Sequence, residues 1–216
     1  MQKVKNKAES EKKMANQIIT IGRQFGSGGR TIAKKLAERL GIKYYDKELI
    51  TIAAKESGIS PEIFEKVDEE AANSLLYSMV IGMYATSSRI THYGDISIND
   101  KIFRVQTEII EKLASEGPCV IVGRCADYIL RDHPNCINTF IYSNIDERIR
   151  RAQEEYNIQS KNIKEFILKS DKKRANYYNF YSGKKWGAIC NYNICLDSGK
   201  LGIDRCVDIL EKLVKG

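Results

Sequence analysis

Apolar residues form five short runs rich in β-branched side chains, and these alternate with stretches whose apolar residues recur every three or four positions. Short unbroken apolar runs are typical of strands buried on both faces, and the longer period is typical of helices. The alternation predicts a three-layer α/β fold, in which a five-stranded parallel sheet carries helices on both faces. The predicted strands are Gln17–Gly22, Ile42–Tyr45, Cys119–Gly123, Ile137–Tyr142 and Asn193–Asp197. The predicted helices are Thr31–Leu40, Lys47–Ser57, Pro61–Ala85, Asp100–Glu116, Asp146–Tyr156, Lys161–Tyr181 and Gly202–Lys215.

The longest interval between predicted strands separates the second from the third and spans about 70 residues. Because a simple crossover is shorter, the interval predicts a helical insertion at about residues 57–100, within one domain of residues 17–216. Insertions at the carboxyl ends of parallel strands build binding sites. Residues 71–88 carry no charge but include an asparagine and four serines. This polar content argues against a membrane span. The stretch is instead predicted to be a helix packed in the core or in a homo-oligomer interface.

The net charge of +7 is uneven along the chain. Residues 1–16 hold five lysines and two glutamates, which leaves a modest +4 for the other 200 residues. That positive excess suits the binding of an anionic small molecule. The sequence lacks the concentrated basic face that would indicate a nucleic-acid partner. The first 16 residues are polar and lack the apolar centre of a signal peptide, so they predict a loosely structured basic tail.

The six cysteines include no Cys-x-x-Cys pair, and several lie within apolar runs. This pattern predicts reduced, mostly buried thiols in a cytoplasmic protein. The two histidines, His92 and His133, are isolated in the sequence. We therefore expect neither a zinc site nor a histidine acid–base pair.

The first predicted strand ends in a glycine-rich segment, Gly22–Gly29, called here the glycine loop, which leads directly into the first predicted helix. Glycines let backbone N–H groups turn toward an anion, and a helix N-terminus adds partial positive charge. The join therefore predicts a phosphate-binding loop. A glycine-rich turn without a ligand is the alternative. It is disfavoured because three glycines in four residues are entropically costly and because Arg23 and Arg30 flank them.

The glycine loop departs from the usual phosphate-loop pattern Gly-x-x-x-x-Gly-Lys-Ser/Thr. In one register Gly29 stands at the lysine position and Arg23 at the leading glycine. In the other register Arg30 stands at the lysine position, Thr31 at the hydroxyl that binds Mg²⁺, and Gln24 at the leading glycine. Arg23 or Arg30 is therefore expected to supply the missing positive charge.

Charged residues follow three other predicted strands. Asp46 lies at the end of the second strand. It could accept a hydrogen bond from a base or ribose, hold a Mg²⁺-bound water or cap the next helix. Arg124 follows the third strand and could bind a phosphate with two parallel hydrogen bonds, or pair with a carboxylate. Arg148 and Arg151 lie three residues apart on the helix after the fourth strand. They could clamp transferring phosphates or face solvent.

A further set of side chains shares one face of the predicted helix Lys161–Tyr181. Asp171, Arg174, Tyr178 and Tyr181 recur at helical spacing. A carboxylate, a guanidinium and two phenols could together hold a sugar, a phosphate and a flat base. An aromatic packing stripe with a salt bridge at its rim is the alternative.

These blocks together resemble the cytidylate kinase-like family, a branch of the bacterial cytidylate kinases. The resemblance covers about residues 17–215, and its motifs fall in the order found in that family. They are Gly22-Arg23-Gln24-Phe25-Gly26-Ser27-Gly28-Gly29-Arg30, Thr31-Ile32-Ala33-Lys34, Tyr45-Asp46-Lys47-Glu48-Leu49-Ile50, Gly123-Arg124, Arg148 with Arg151, Asp171-x-x-Arg174, and Ile194-x-Leu196-Asp197.

The resemblance implies a P-loop nucleoside monophosphate kinase that uses ATP with Mg²⁺ as donor and CMP or dCMP as acceptor. It also implies lid and acceptor helices at about residues 146–186. Residue chemistry and resemblance together predict the site. The expected ATP-binding residues are Gly26, Ser27, Gly28, Gly29, Arg30 and Thr31, with Thr31 also at the metal. The expected acceptor-binding residues are Asp46, Arg124, Asp171, Arg174 and Tyr178. The expected catalytic residues are Arg23, Arg30, Arg148 and Arg151.

Two departures from the family pattern support a second hypothesis. Gly29 replaces the phosphate-loop lysine, and Cys125 replaces the aspartate expected directly after Gly-Arg, with Asp127 the nearest carboxylate. Phosphoryl transfer depends on positive charge around the transferring group. If no arginine compensates, the protein is a nucleotide-binding regulator with little turnover.

Overall fold

The structure is a computed structural model that describes residues 17–46, residue 52 and residues 98–216. Several predictions concern residues outside these ranges. They are the basic tail at 1–16, nearly all of the helical insertion at 57–100, the uncharged stretch at 71–88, the helix Pro61–Ala85, and the helix Lys47–Ser57 apart from residue 52.

Strands and helices alternate through the described residues. The strands are β1 (Ile18–Arg23), β2 (Lys43–Tyr45), β3 (Cys119–Val122), β4 (Cys136–Tyr142) and β5 (Ile194–Asp197). The helices are α1 (Gly29–Leu40), α2 (Ile98–Ser115), α3 (Ala126–Ile129), α4 (Ile145–Glu154), α5 (Ile163–Ser182), α6 (Ser198–Leu201) and α7 (Ile203–Lys215). A 3₁₀ turn, Ile189–Asn191, precedes β5.

The five strands form one parallel sheet in the order β2-β3-β1-β4-β5. Ile18 of β1 lies opposite Cys119 of β3 on one side and Cys136 of β4 on the other. Because the strands are parallel, their carboxyl ends meet at one edge, where ligands bind in such sheets. The predicted fold class, a three-layer α/β fold with a five-stranded parallel sheet, is confirmed.

Apolar clusters cover both faces of the sheet. On one face, Leu36 of α1 and Val207 of α7 pack against Ile21 of β1. On the other face, Ile109 of α2 packs against Ile121 of β3. Strands with apolar side chains on both faces explain the uninterrupted β-branched runs in the sequence. The α1 helix ends at Leu40 because Gly41 adopts the left-handed conformation, and its N–H bonds back to the last turn.

The six cysteines all lie within the described residues and form no disulfide. Three are buried, two are partly buried and Cys190 is exposed. Burial raises the pKa of the Cys119 thiol to about 12, so this thiol stays protonated and unreactive at neutral pH. Within the described part of the chain, no helix has the length and apolarity needed to cross a membrane.

Candidate active site

The glycine loop lies at the carboxyl edge of the sheet, and its residues 24–28 connect β1 to α1. Gly26 and Gly28 have φ angles of 75° and 73°, in the left-handed region that favours glycine. The close packing around the loop also requires glycine, because a Cβ on Gly26 would lie 2.5 Å from the Arg148 carbonyl oxygen. A Cβ on Gly28 would collide with Ile203. The helix that starts at Gly29 directs its positive N-terminus to this loop, as the anion-binding prediction requires.

Side chains from other elements hold the loop's carbonyl groups from outside. Arg148 Nε donates to the Phe25 oxygen at 2.7 Å, and Ser198 Oγ donates to the Ser27 oxygen at 2.5 Å. The Arg151 guanidinium lies 3.5 Å from the Gly26 oxygen. A trans peptide directs its C=O and N–H oppositely, so the carbonyls of Phe25 and Ser27 turn the N–H groups of Gly26 and Gly28 toward the inside of the loop. The Ser27 N–H instead donates to the Gln24 oxygen at 3.3 Å. These contacts brace the loop's conformation from the protein side.

Arg148 and Arg151 occupy buried positions that differ from the sequence expectation of a lid or a solvated face. Each is only 4% exposed. Arg148 pairs with Asp171 of α5, and Arg151 donates to Ser198 at 3.1 Å from Nη1 to Oγ. The two arginines share one face of α4, as their spacing predicted. That face lies under the glycine loop, where its arginines donate hydrogen bonds to the loop's carbonyl oxygens and to Asp171.

Asp171 is placed beneath the loop as well. Its Oδ1 accepts from the Phe25 N–H at 2.7 Å, and its Oδ2 accepts from Arg148. Both carboxylate oxygens are engaged by the protein, whereas the sequence expectation was that Asp171 binds the acceptor. This geometry makes Asp171 a bridge between α5, α4 and the loop.

Asp46 at the end of β2 binds both arginines that flank the glycine loop. The Nε of Arg30 donates to Asp46 Oδ2 at 2.5 Å, and Arg23 Nη2 lies 3.7 Å from Oδ1. The hydroxyl of Tyr44 lies 3.4 Å from Oδ2, and burial next to this carboxylate raises the pKa of Tyr44 to about 12. Asp46 is 6% exposed, and the two arginines offset its buried charge.

A cleft of about 300 Å³ opens beside the loop, between the ends of β1 and β3 and helix α5. We call it the aromatic cleft. Its lining combines basic side chains, aromatic rings and one carboxylate. The basic residues are Arg23, Arg124, Lys173 and Arg174, the aromatic residues are Phe25, Phe166, Tyr177, Tyr178, Trp186 and Tyr192, and the carboxylate is Asp127. Flat rings and guanidinium groups suit a ligand that is part planar and part anionic.

Two of the predicted acceptor residues line the cleft on α5. Arg174 lies 5.5 Å from the centre of the Phe25 ring and donates to the Arg23 carbonyl oxygen at 3.1 Å. The hydroxyl of Tyr178 donates to Asp127 Oδ2 at 2.7 Å. Burial raises the pKa of Asp127, and burial together with the Asp127 charge raises the pKa of Tyr178. The cleft thus presents a carboxyl and a phenol that share a hydrogen bond.

The turn after β3 is strained where it meets the cleft. Gly123, Arg124 and Cys125 have successive φ angles of 74°, 59° and 56°. Left-handed backbone is costly for residues other than glycine and persists where the surroundings enforce it, most often at functional sites. The turn delivers Arg124 to the cleft and buries Cys125, which is 3% exposed.

The structure thus brings together Arg23, Arg124, Arg174 and Tyr178 in the cleft, and it keeps Arg148, Arg151 and Asp171 behind the loop. The sequence prediction missed several residues of the cleft, among them Phe166, Trp186 and Tyr192. These three are isolated aromatic residues whose spacing carries no signal. Ser198 was missed too, since a serine after a strand has many uses.

A three-layer parallel sheet with a glycine loop at its carboxyl edge is the architecture of P-loop kinases. The structure is similar to a shikimate kinase from Acinetobacter baumannii, with a TM-score of 0.52 and 16% identity, over 95% of this chain and 97% of that chain. At that identity the likeness shows the fold alone.

Residues 18–200 match the model of the Cytidylate kinase-like family, and the chain belongs to this family. A cytidylate kinase from Halalkalibacterium halodurans is 29% identical over 201 residues, covering 82% of this chain and 86% of that protein. An uncharacterized protein from Eubacterium ventriosum is 33% identical, with a TM-score of 0.66, over 93% of this chain and 99% of that chain. Family and fold together support a nucleotide kinase.

Proposed function

We propose that the protein transfers the terminal phosphoryl group of ATP to a pyrimidine nucleoside monophosphate, with CMP and dCMP as the first candidates. One observation carries the proposal: a glycine loop at a helix N-terminus opens beside a cleft lined by both guanidinium groups and aromatic rings. A donor and an acceptor placed there would meet through their phosphates. The matched family and its cytidylate kinase relatives support the choice of a pyrimidine monophosphate.

At the donor end, the ATP phosphates would bind the backbone N–H groups of residues 26–31 at the start of α1. The outward-held carbonyls support this assignment, because a fixed loop needs no reorganisation when charge develops. Arg148, Arg151 and Asp171 act as positioning residues through their contacts with the loop. This differs from the direct phosphate contact that the sequence suggested for the two arginines.

The part of the chain that the structure describes offers Mg²⁺ few ligands of its own. Thr31 places a hydroxyl in the first turn of α1. The described residues bring together no three carboxylate, histidine or cysteine side chains that could hold a metal. Mg²⁺ commonly keeps several waters and is held through substrate phosphates with one or two protein oxygens, so this limited set fits it. Thr31 would be that oxygen, and the bound metal would neutralise phosphate charge.

At the acceptor end, Arg124 and Arg174 would hold the monophosphate while the aromatic rings pack on the base. Asp127 and Tyr178 would offer hydrogen-bonding groups to the base edge. Asp46 would act indirectly, because it orients Arg23 and Arg30 at the boundary between the two ends. Phosphoryl transfer then proceeds by positioning and electrostatic stabilisation, without a covalent intermediate on the protein.

The test is ADP release from ATP and Mg²⁺ in the presence of CMP, dCMP, UMP, AMP or GMP. We expect CMP or dCMP to stimulate ADP release most strongly. Arg124→Ala should raise the KM for the stimulating monophosphate, and Arg131→Ala is the matched control because Arg131 is an exposed arginine stacked on Tyr128. If ATP binds but no monophosphate stimulates turnover, the regulatory hypothesis replaces the kinase.

A further inference from the structure

Two positions of the glycine loop have exchanged residues relative to the usual phosphate-loop pattern. That pattern begins with glycine and places lysine six residues later, before the hydroxyl residue. In the register that puts Gly29 at the lysine position, Arg23 stands at the leading glycine. The structure supports this register, since α1 begins at Gly29 after the left-handed Gly28. Arg30 then stands at the hydroxyl position, and the Thr31 hydroxyl lies one residue beyond it. The chain therefore has a cation where glycine is usual and a glycine where the cation is usual.

The two positions compete for one space. A Cβ built on Gly29 would lie 2.5 Å from the Cβ of Arg23 and 3.1 Å from its Cγ. Two Cβ atoms do not approach each other this closely in proteins. The Arg23 Cβ is bonded directly to the backbone, so it cannot move away unless β1 moves with it. A side chain can therefore start from residue 23 or from residue 29, but not from both.

The far end of Arg23 reaches the place where two substrates would meet. A Cβ on Gly123 would collide with the Arg23 guanidinium, so that glycine too leaves room for the side chain. Arg23 lines the aromatic cleft and its side chain is 17% exposed. Arg30, the other candidate, has a side chain that is 49% exposed and does not line the cleft within the described residues.

We propose that Arg23 supplies, from the end of β1, the cation that an ordinary phosphate loop supplies from its lysine. Gly29 and Gly123 provide the space for its stem and its guanidinium. This inference rests on the proposed function, because it assigns Arg23 to the phosphoryl group transferred between donor and acceptor. Arginine suits the task since it stays charged and can bind phosphate oxygens in a two-pronged geometry.

The charge is tested by Arg23→Gln, which keeps most of the stem and removes the cation. We expect turnover to fall about a hundredfold, the loss typical when one charge-stabilising donor is removed. Arg23→Lys should recover part of the activity. Arg39→Ala is the control, because Arg39 is an exposed arginine near the other end of α1, paired with Asp208, and we expect wild-type turnover from it. Full turnover in Arg23→Gln overturns the proposal.

The exchange itself is tested by double variants. Gly29→Lys alone should lose activity, because its side chain collides with Arg23. Arg23→Gly with Gly29→Lys restores the usual glycine and lysine, with Arg30 still at the hydroxyl position, and should recover turnover to within about tenfold of wild type, given one cation in place of another. Arg23→Ala with Gly29→Lys should not recover, since alanine keeps the colliding Cβ. Arg23→Gly with Gly29→Ala relieves the collision without a cation and should stay inactive.

ATP affinity, measured by calorimetry without any monophosphate, separates this inference from the proposed function. Arg23→Gln should bind ATP more weakly than wild type, and the restored double variant should bind it more tightly than Arg23→Gly with Gly29→Ala. If no monophosphate stimulates the wild type but this order of affinities holds, the proposed function fails and the exchange stands. If Gly29→Lys alone binds ATP and turns over like wild type, the exchange is wrong. Circular dichroism on each variant establishes folding.

Discussion

The glycine loop and the aromatic cleft lie side by side, but their walls are built from different parts of the chain. The loop presents backbone groups, and buried side chains such as Arg148 and Ser198 hold it from behind. The cleft presents side chains, several of them partly exposed, from α5 and from the strained turn after β3. A wall of fixed backbone suits phosphates, which are the same in every nucleotide. A wall of side chains can be changed residue by residue, and under the proposed function it is where the choice of acceptor would be set.

The largest effect is expected behind the loop, from Arg148→Ala. The change leaves the Asp171 carboxylate buried without its closest cation, since Arg174 lies 3.9 Å away, and breaking a buried pair in this way costs about 3–5 kcal/mol. Urea denaturation should show the loss in the free energy of unfolding. Arg150→Ala is the control on the same helix, because Arg150 is half-exposed and pairs only with surface glutamates among the residues described. Equal unfolding midpoints for the two variants would contradict the assigned role.

Ser198→Ala should have a smaller effect on the same wall. Its hydroxyl donates to the Ser27 carbonyl and accepts from Arg151, so its loss leaves buried groups unsatisfied at a cost of about 1–3 kcal/mol. ATP affinity should fall while monophosphate affinity is kept, and calorimetry with each nucleotide separates the two. Ser115→Ala removes a serine whose hydroxyl bonds its own helix at the surface, and it serves as the control. A matching loss of both affinities would place Ser198 outside the loop's support.

On the cleft wall, Arg174→Ala should change binding more than stability. Loss of a charge-assisted hydrogen bond should raise the KM for the monophosphate roughly ten- to a hundredfold. The affinity for ATP and the unfolding midpoint should stay close to wild type. Lys172→Ala, an exposed lysine on the same helix, controls for the lost charge. A fall in stability as large as that of Arg148→Ala would show that the side chains of both walls contribute to stability in the same way.

The smallest effect is expected from Asp127→Asn, and it depends on pH. Burial raises the pKa of Asp127, so the folded state favours the protonated carboxyl. That contribution is complete below the ordinary aspartate pKa of about 3.9 and is lost as the pH rises through the raised value. Asparagine cannot ionise, so the variant should gain stability relative to wild type between pH 4 and pH 7. Urea denaturation across that range measures the difference, and a gap that narrows with rising pH would be the contrary result.

Local patterns predicted the framework well. The strand predicted at Gln17–Gly22 is Ile18–Arg23, and the helix predicted at Lys161–Tyr181 is Ile163–Ser182. Burial on both faces produces unbroken apolar runs that a sequence displays directly. The short helices α3 and α6 were not predicted, because four residues are too few to show a helical period.

Long-range partners could not be predicted in the same way. The sequence shows that Arg148 and Arg151 share a helix face, but charged side chains are usually exposed, so nothing local indicates that this face is buried. Asp171 lies 146 positions from the Phe25 N–H that it accepts from. Asp46 could be a cap, a ligand or a salt bridge by its position alone. Only the folded sheet, in which the end of β2 comes within reach of Arg23 and Arg30, shows that these arginines are its partners.

The position of β1 at the centre of the sheet has a consequence for synthesis of the chain. β1 is translated before its partner strands, and its residues pair with β4 residues 118 positions later. At roughly 5–20 residues per second, the ribosome needs roughly 6–24 seconds to cover that distance. Until β3 is translated, the nascent Ile-Ile-Thr-Ile segment has both edges open, and the edge that pairs with β4 stays open longer. Open strand edges are prone to aggregation. The protein must therefore complete its sheet late, after most of the chain has left the ribosome.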